Sequence, residues 1–131
     1  MNKAVEKFRE VYTYINDETL DLAAKENVQM VLDLLDAEVN HLVKSECLIV
    51  LAQTGDYSYK DLILSFKDNE SAYVRESVCM ALSSYVGEDK ERNQEILKFF
   101  EEIKSKESSQ GVLKRLEICM EEIDFIEKYG Y

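Results

Sequence analysis

Asp61-Leu62-Ile63-Leu64-Ser65-Phe66-Lys67-Asp68-Asn69-Glu70-Ser71-Ala72-Tyr73-Val74-Arg75-Glu76-Ser77-Val78-Cys79-Met80-Ala81-Leu82 decides the fold, because it holds two helical periods around one polar break. Leu62, Ile63 and Phe66 fall on one face of a first helix, and Val74, Val78, Ala81 and Leu82 on one face of a second. Asp68-Asn69-Glu70-Ser71 separates them with residues that favour turns and helix starts. Moving back by 31 residues reaches the same pattern in Val31, Leu32 and Leu35, then in Val43, Lys44, Cys47, Val50 and Leu51. Moving forward by 38 carries Val74, Val78, Ala81, Leu82 and Tyr85 onto Val112, Leu116, Cys119, Met120 and Ile123. Self-similarity at this spacing argues for stacked helix pairs rather than a four-helix bundle.

The rest of the chain extends that reading. Helices are expected over residues 3–15, 17–25, 27–35, 41–54, 58–67, 72–86, 91–104 and 110–128, with Gly55 and Gly87 closing the fourth and sixth. The chain of 131 residues is the length of one domain, with 46% apolar and 33% charged residues, and is therefore not mainly disordered. It contains no proline and only 4 glycines, which is too few turn formers for a sandwich or barrel. The expected fold class is all-α in a single domain over residues 1–131. Its clearest units are 27–55 and 57–87, and its degenerate pairs are 1–25 and 91–128. Residues 105–109 read as an exposed break, so Glu107→Ala is expected to shift stability by no more than ~0.5 kcal/mol.

The stretch quoted above resembles a HEAT-like repeat, of the short kind found in phycobilin-lyase relatives. An apolar first helix leads to a turn containing Asp68, the second helix opens on Val74-Arg75, and it runs on to Ala81-Leu82. Residues 27–55 share the pattern more weakly, and the spacing from Asp68 to Val74 is one residue longer than the family's. The resemblance implies a short right-handed α-solenoid of about three antiparallel helix pairs. It also implies that Asp36, Asp68, Lys44 and Arg75 form a structural ladder between neighbouring units.

Charge narrows the partners. A formal net charge of −11 disfavours nucleic acid and anionic membrane surfaces, and favours a basic protein. No apolar run approaches the ~18 residues needed to span a bilayer, and the first ten residues lack an apolar signal core. Cys47, Cys79 and Cys119 form neither a paired set nor a zinc motif, and each sits in an apolar helical stretch. A cytoplasmic protein, monomeric when free, is expected.

Little chemistry is written in the chain. The single histidine, His41, excludes paired-histidine metal sites, and no Gly-rich phosphate loop or Gly-x-Ser-x-Gly elbow is present. The expectation is a protein without catalysis, metal or cofactor. Among the 8 tyrosines, Tyr12, Tyr73 and Tyr85 read as core, whereas Tyr57 and Tyr59 read either as partner contacts or as caps on the neighbouring unit. On the second helices, Glu46, Gln53, Glu76, Met80, Ser84 and Glu122 lie off the core stripe, with Arg115 adding the only base. Stacked pairs would gather these residues on a concave face. The leading reading is a non-catalytic module that holds a basic partner there, for instance an immunity protein neutralising a cationic toxin. The alternative, carried by the resemblance alone, is an accessory or subunit of a tetrapyrrole-modifying or DNA-repair HEAT-like enzyme.

Overall fold

A computed structural model describes residues 28–36 and 41–130 of the chain. The pair expected within residues 1–25, and with it Tyr12, lies outside the described residues. Six α-helices and one 3-10 turn, with no strand, account for the described fold: α1 (Val28–Asp36), α2 (His41–Gln53), the 3-10 turn (Tyr57–Tyr59), α3 (Lys60–Leu64), α4 (Ala72–Ser83), α5 (Lys90–Lys106) and α6 (Gln110–Tyr129). The all-α expectation holds. Element ends differ from the sequence reading by a few residues, except at 58–67, where a 3-10 turn and a short helix replace one longer helix.

Local chemistry explains these boundaries. Asp89 caps α5 by accepting from the Arg92 backbone N–H at 2.7 Å, and Asp56 caps the 3-10 turn by accepting from Ser58 at 2.9 Å. Past α2, Gly55 adopts φ of +79°, a conformation that side chains with a Cβ rarely take, and its N–H donates to the Ala52 carbonyl. Lys104 and Lys106 sit in the last turn of α5, where cations suit the helix dipole.

Each short helix packs on the longer one that follows it: α1 on α2, α3 on α4, and α5 on α6. The second members also touch in series, α2 against α4 and α4 against α6, so α4 is the central helix. One continuous core results. Val43, Val74 and Val112 are all buried, as are Cys47, Val78 and Leu116 at the next position of the stripe. Val50, Ala81 and Cys119 continue it. The spacing read from the sequence therefore recurs as a spacing in burial along these three helices.

Polar side chains join successive units. The Tyr85 hydroxyl donates to the Asp56 carbonyl at 2.9 Å, and the Tyr57 hydroxyl donates to Glu95 at 2.6 Å. Lys60 also reaches Glu95, and Lys67 reaches Glu102. Arg75 makes the most elaborate tie. Its Nε and Nη2 donate to the two carboxylate oxygens of Glu107, while Nη1 donates to the carbonyls of Asn69 and Glu70.

Three expectations are corrected by this arrangement. Arg75 is structural, but its carboxylate is Glu107 across the next unit, with Asp68 left exposed in the turn. Glu107 is also no solvated break residue: its side chain is only 4% exposed, and it accepts from the Ser108 and Ser109 backbone as well. Tyr73 is the other correction. It is 61% exposed and stacks on His41 at 5.6 Å, whereas Tyr85 is buried as expected. Its position one residue before Val74 turns it about 100° from the core stripe.

Candidate functional site

The off-stripe positions singled out in the sequence lie on or just past α2, α4 and α6, which pack side by side. Glu46 on α2, Ser84 just past α4 and Glu122 on α6 are exposed, while Gln53, Glu76 and Met80 are half-buried. The carboxylates are not equivalent. Glu76 accepts from Arg115 Nε at 3.3 Å, an α4–α6 contact that offsets its charge. Gln53 turns Oε1 into a buried position where it has no hydrogen-bond partner among the described residues. Ser84 directs its hydroxyl back to the Met80 carbonyl, as residues near a helix end commonly do.

Tyr57 and Tyr59 occupy a different place. Both are half-buried and pack against the core, and Tyr57 reaches Glu95 of α5. Tyr57 meets Tyr85 edge-on at 5.1 Å, and its ring carries Lys60 Nζ at 4.6 Å and Arg92 Cζ at 4.4 Å. Burial, the hydrogen bond to Glu95 and the charge of Glu95 together push the Tyr57 hydroxyl above its ordinary range. Glu95 is held below its own, chiefly by the hydrogen bonds from Lys60 and Tyr57. This cluster joins the 3-10 turn to α5.

The cysteines are held in the interior, away from solvent. All three cysteines are buried, and desolvation pushes the Cys47 and Cys79 thiols up to about 12, so they stay protonated at neutral pH. His41 is exposed at the start of α2 with its ring against Tyr73. Among the described residues no group of His, Cys, Asp or Glu side chains is arranged to hold a metal. A cleft of about 280 Å³ lies between the 67–70 turn and the end of α5, lined by Lys67, Arg75, Glu102 and Glu107 among others. Those four groups already pair with one another, so the cleft is the wall of the Arg75 brace.

Sequence reasoning missed the apolar part of the surface. Leu42, Tyr73, Ile118, Phe125 and Tyr129 are between 47% and 75% exposed. Leu42 and Tyr73 each precede a core valine by one residue, which is the signal that could have placed them outward. One interior contact was also missed. Asn93 is completely buried and accepts from the Gly87 N–H at 2.9 Å, which fixes the turn from α4 into α5.

Among the described residues the fold is all-helical, and α2, α4 and α6 each carry exposed apolar or acidic side chains. No helix among the described residues is long and apolar enough to cross a membrane. No family model, curated protein or solved structure matches the chain.

Proposed function

We propose that the chain is a non-catalytic binding module, a short HEAT-like α-solenoid that holds a basic partner protein on the face of α2, α4 and α6. The observation that supports this reading is the serial packing of those three helices, which carry exposed Glu46 on α2, Tyr73 on α4, and Ile118 and Glu122 on α6. Apolar side chains supply contact area, and the excess of acid selects the sign of the partner. With a net charge of −11, association with a cationic protein is steered over long range. A cytoplasmic immunity protein that covers a cationic toxin is the concrete instance, monomeric until it meets its target. Tyr57 and Tyr59 belong to the inter-unit brace in this reading.

The test uses the partner captured from the native host and titrated at rising salt. A basic partner should emerge, with an association rate that falls steeply with ionic strength and a dissociation rate that changes less. Glu46→Lys with Glu122→Lys should weaken binding ~tenfold or more relative to Asp61→Lys with Glu101→Lys, which changes net charge equally at exposed sites on α3 and α5. Equal losses in the two double variants, or an acidic partner, would overturn the assignment of this face.

A further inference from the structure

The last helix carries more exposed apolar surface than its neighbours, and its geometry is specific. Ile118, Phe125 and Tyr129 are 47%, 64% and 75% exposed. With Glu122, their spacing puts them on one helical stripe, turned away from the buried stripe of Val112, Leu116, Cys119 and Ile123. The Phe125 and Tyr129 rings meet at 4.7 Å with a 43° tilt, so two aromatic faces stand together in solvent. Glu122 is exposed on this stripe and Glu121 beside it. Lys114 and Lys128 are the exposed bases near its two ends, and Arg115 is engaged by Glu76.

We propose that this stripe of α6 is the anchor for a cationic amphipathic helix of the partner protein. The inference rests on the binding reading above and names the element of the partner that is recognised. Charge complementarity chooses the occupant. A second copy of this chain would set one net charge of −11 against another, and an anionic lipid surface or a phosphate backbone would meet the same repulsion. A basic amphipathic helix satisfies both parts of the surface at once. Its apolar side chains lie across Ile118, Phe125 and Tyr129, in the helix-on-helix manner by which amphipathic segments dock. Its lysines and arginines run their aliphatic stems along the same stripe and place their charges by Glu121 and Glu122. The exposed faces of Phe125 and Tyr129 also attract cations directly, which a neutral apolar helix would not exploit.

The protein contains no tryptophan, so a single tryptophan on a probe reports alone. The probe is a helical Leu/Lys amphipathic peptide with one tryptophan on its apolar face, and the control is the same composition in scrambled order. The ordered peptide should bind with a blue-shifted tryptophan emission, and the scrambled one should bind far more weakly. Phe125→Ser with Tyr129→Ser should weaken the ordered peptide ~tenfold or more, while circular dichroism and Tm stay near wild type because both side chains are exposed. Ile118→Ser provides a second variant at the other end of the stripe and should also lose affinity.

Unchanged affinity in these variants, or equal binding of the scrambled peptide, would overturn the anchor. So would a concentration-dependent dimer that the double serine variant dissolves, or binding to phosphatidylserine vesicles in preference to the peptide. The two readings separate cleanly. Partner binding lost on Glu46→Lys, which lies on α2 outside the stripe, but kept on Phe125→Ser with Tyr129→Ser retains the charged face and removes the anchor. The reverse pattern retains the anchor and removes the charged face.

Discussion

Val78→Asp should leave the chain without a cooperative folded state. Val78 is fully buried on α4, the helix that packs against both α2 and α6, and its neighbours on the stripe are Val74, Ala81 and Leu82. An aspartate there finds no cation in the interior and must either ionise without a partner or stay protonated at neutral pH. Either outcome costs several kcal/mol, a large part of the ~5–15 kcal/mol by which domains are stable. Far-UV circular dichroism should show loss of helix at 25 °C and no sharp thermal transition. Tyr73→Asp, one residue before the stripe on the same helix, is the matched control. Its side chain is 61% exposed, so the same charge there should leave the melting curve nearly unchanged. A cooperative transition in Val78→Asp would mean that α4 is not central to the core.

Glu107→Ala should be the most damaging change among the described charged residues. The carboxylate takes two hydrogen bonds from Arg75, at 2.9 and 3.1 Å, and two more from the backbone of the following turn. Removing it leaves the Arg75 guanidinium, itself 19% exposed, without its counter-charge. Because Arg75 retains some solvent and two carbonyl partners, the loss should fall near the lower end for buried pairs, about 2–3 kcal/mol. A Tm decrease of roughly 10 °C follows for a domain of this size. The double variant Arg75→Ala with Glu107→Ala should lose less than the sum of the single changes, because neither charge is then stranded. Additive losses would show that the two groups are not coupled.

The same pair gives the fold an acid limb. Burial alone would push the Glu107 carboxyl up, but the Arg75 hydrogen bonds and the Ser109 and Ser108 amides outweigh it and hold the value below the ordinary 4.5. The folded state thus binds this proton less readily than the unfolded chain does. Its contribution to stability is complete above the unfolded value near 4.5 and is lost as pH falls through the lower folded value. Glu107→Gln should therefore be less stable than wild type at neutral pH, with the gap closing in acid. A constant gap would contradict the assignment.

The helical class and the core were legible because both depend on local periodicity. Val43, Val74 and Val112 could be aligned by spacing alone, and each is buried. The ties between units could not be read in that way. Glu107 looks like one more acid among serines, and only the three-dimensional approach of the α5–α6 turn to the start of α4 makes it the partner of Arg75. The resemblance to a repeat pointed at Asp68 for that role, but with one more residue between Asp68 and Val74 the aspartate lies exposed in the turn. Asn93 escaped notice for the same reason, since its oxygen is satisfied by Gly87 six residues away across a turn. On the surface, polarity located Glu46 and Glu122, but attention to charge passed over Phe125 and Tyr129. An apolar side chain at a helical position reads as core until the neighbouring helices leave that side uncovered.

The central place of α4 also sets an order for how the backbone opens. Its amides are covered by helices on two sides, so their protons exchange with solvent only when the whole core separates, and their rates report global stability. The final turn of α6 ends at Gly130, whose positive φ stops the helix, and its amides exchange through fraying that leaves α4 intact. A ligand seated on Phe125 and Tyr129 would thus slow deuterium uptake at the carboxyl end of α6 first, while any added protection in α4 would measure the stabilisation of the entire fold.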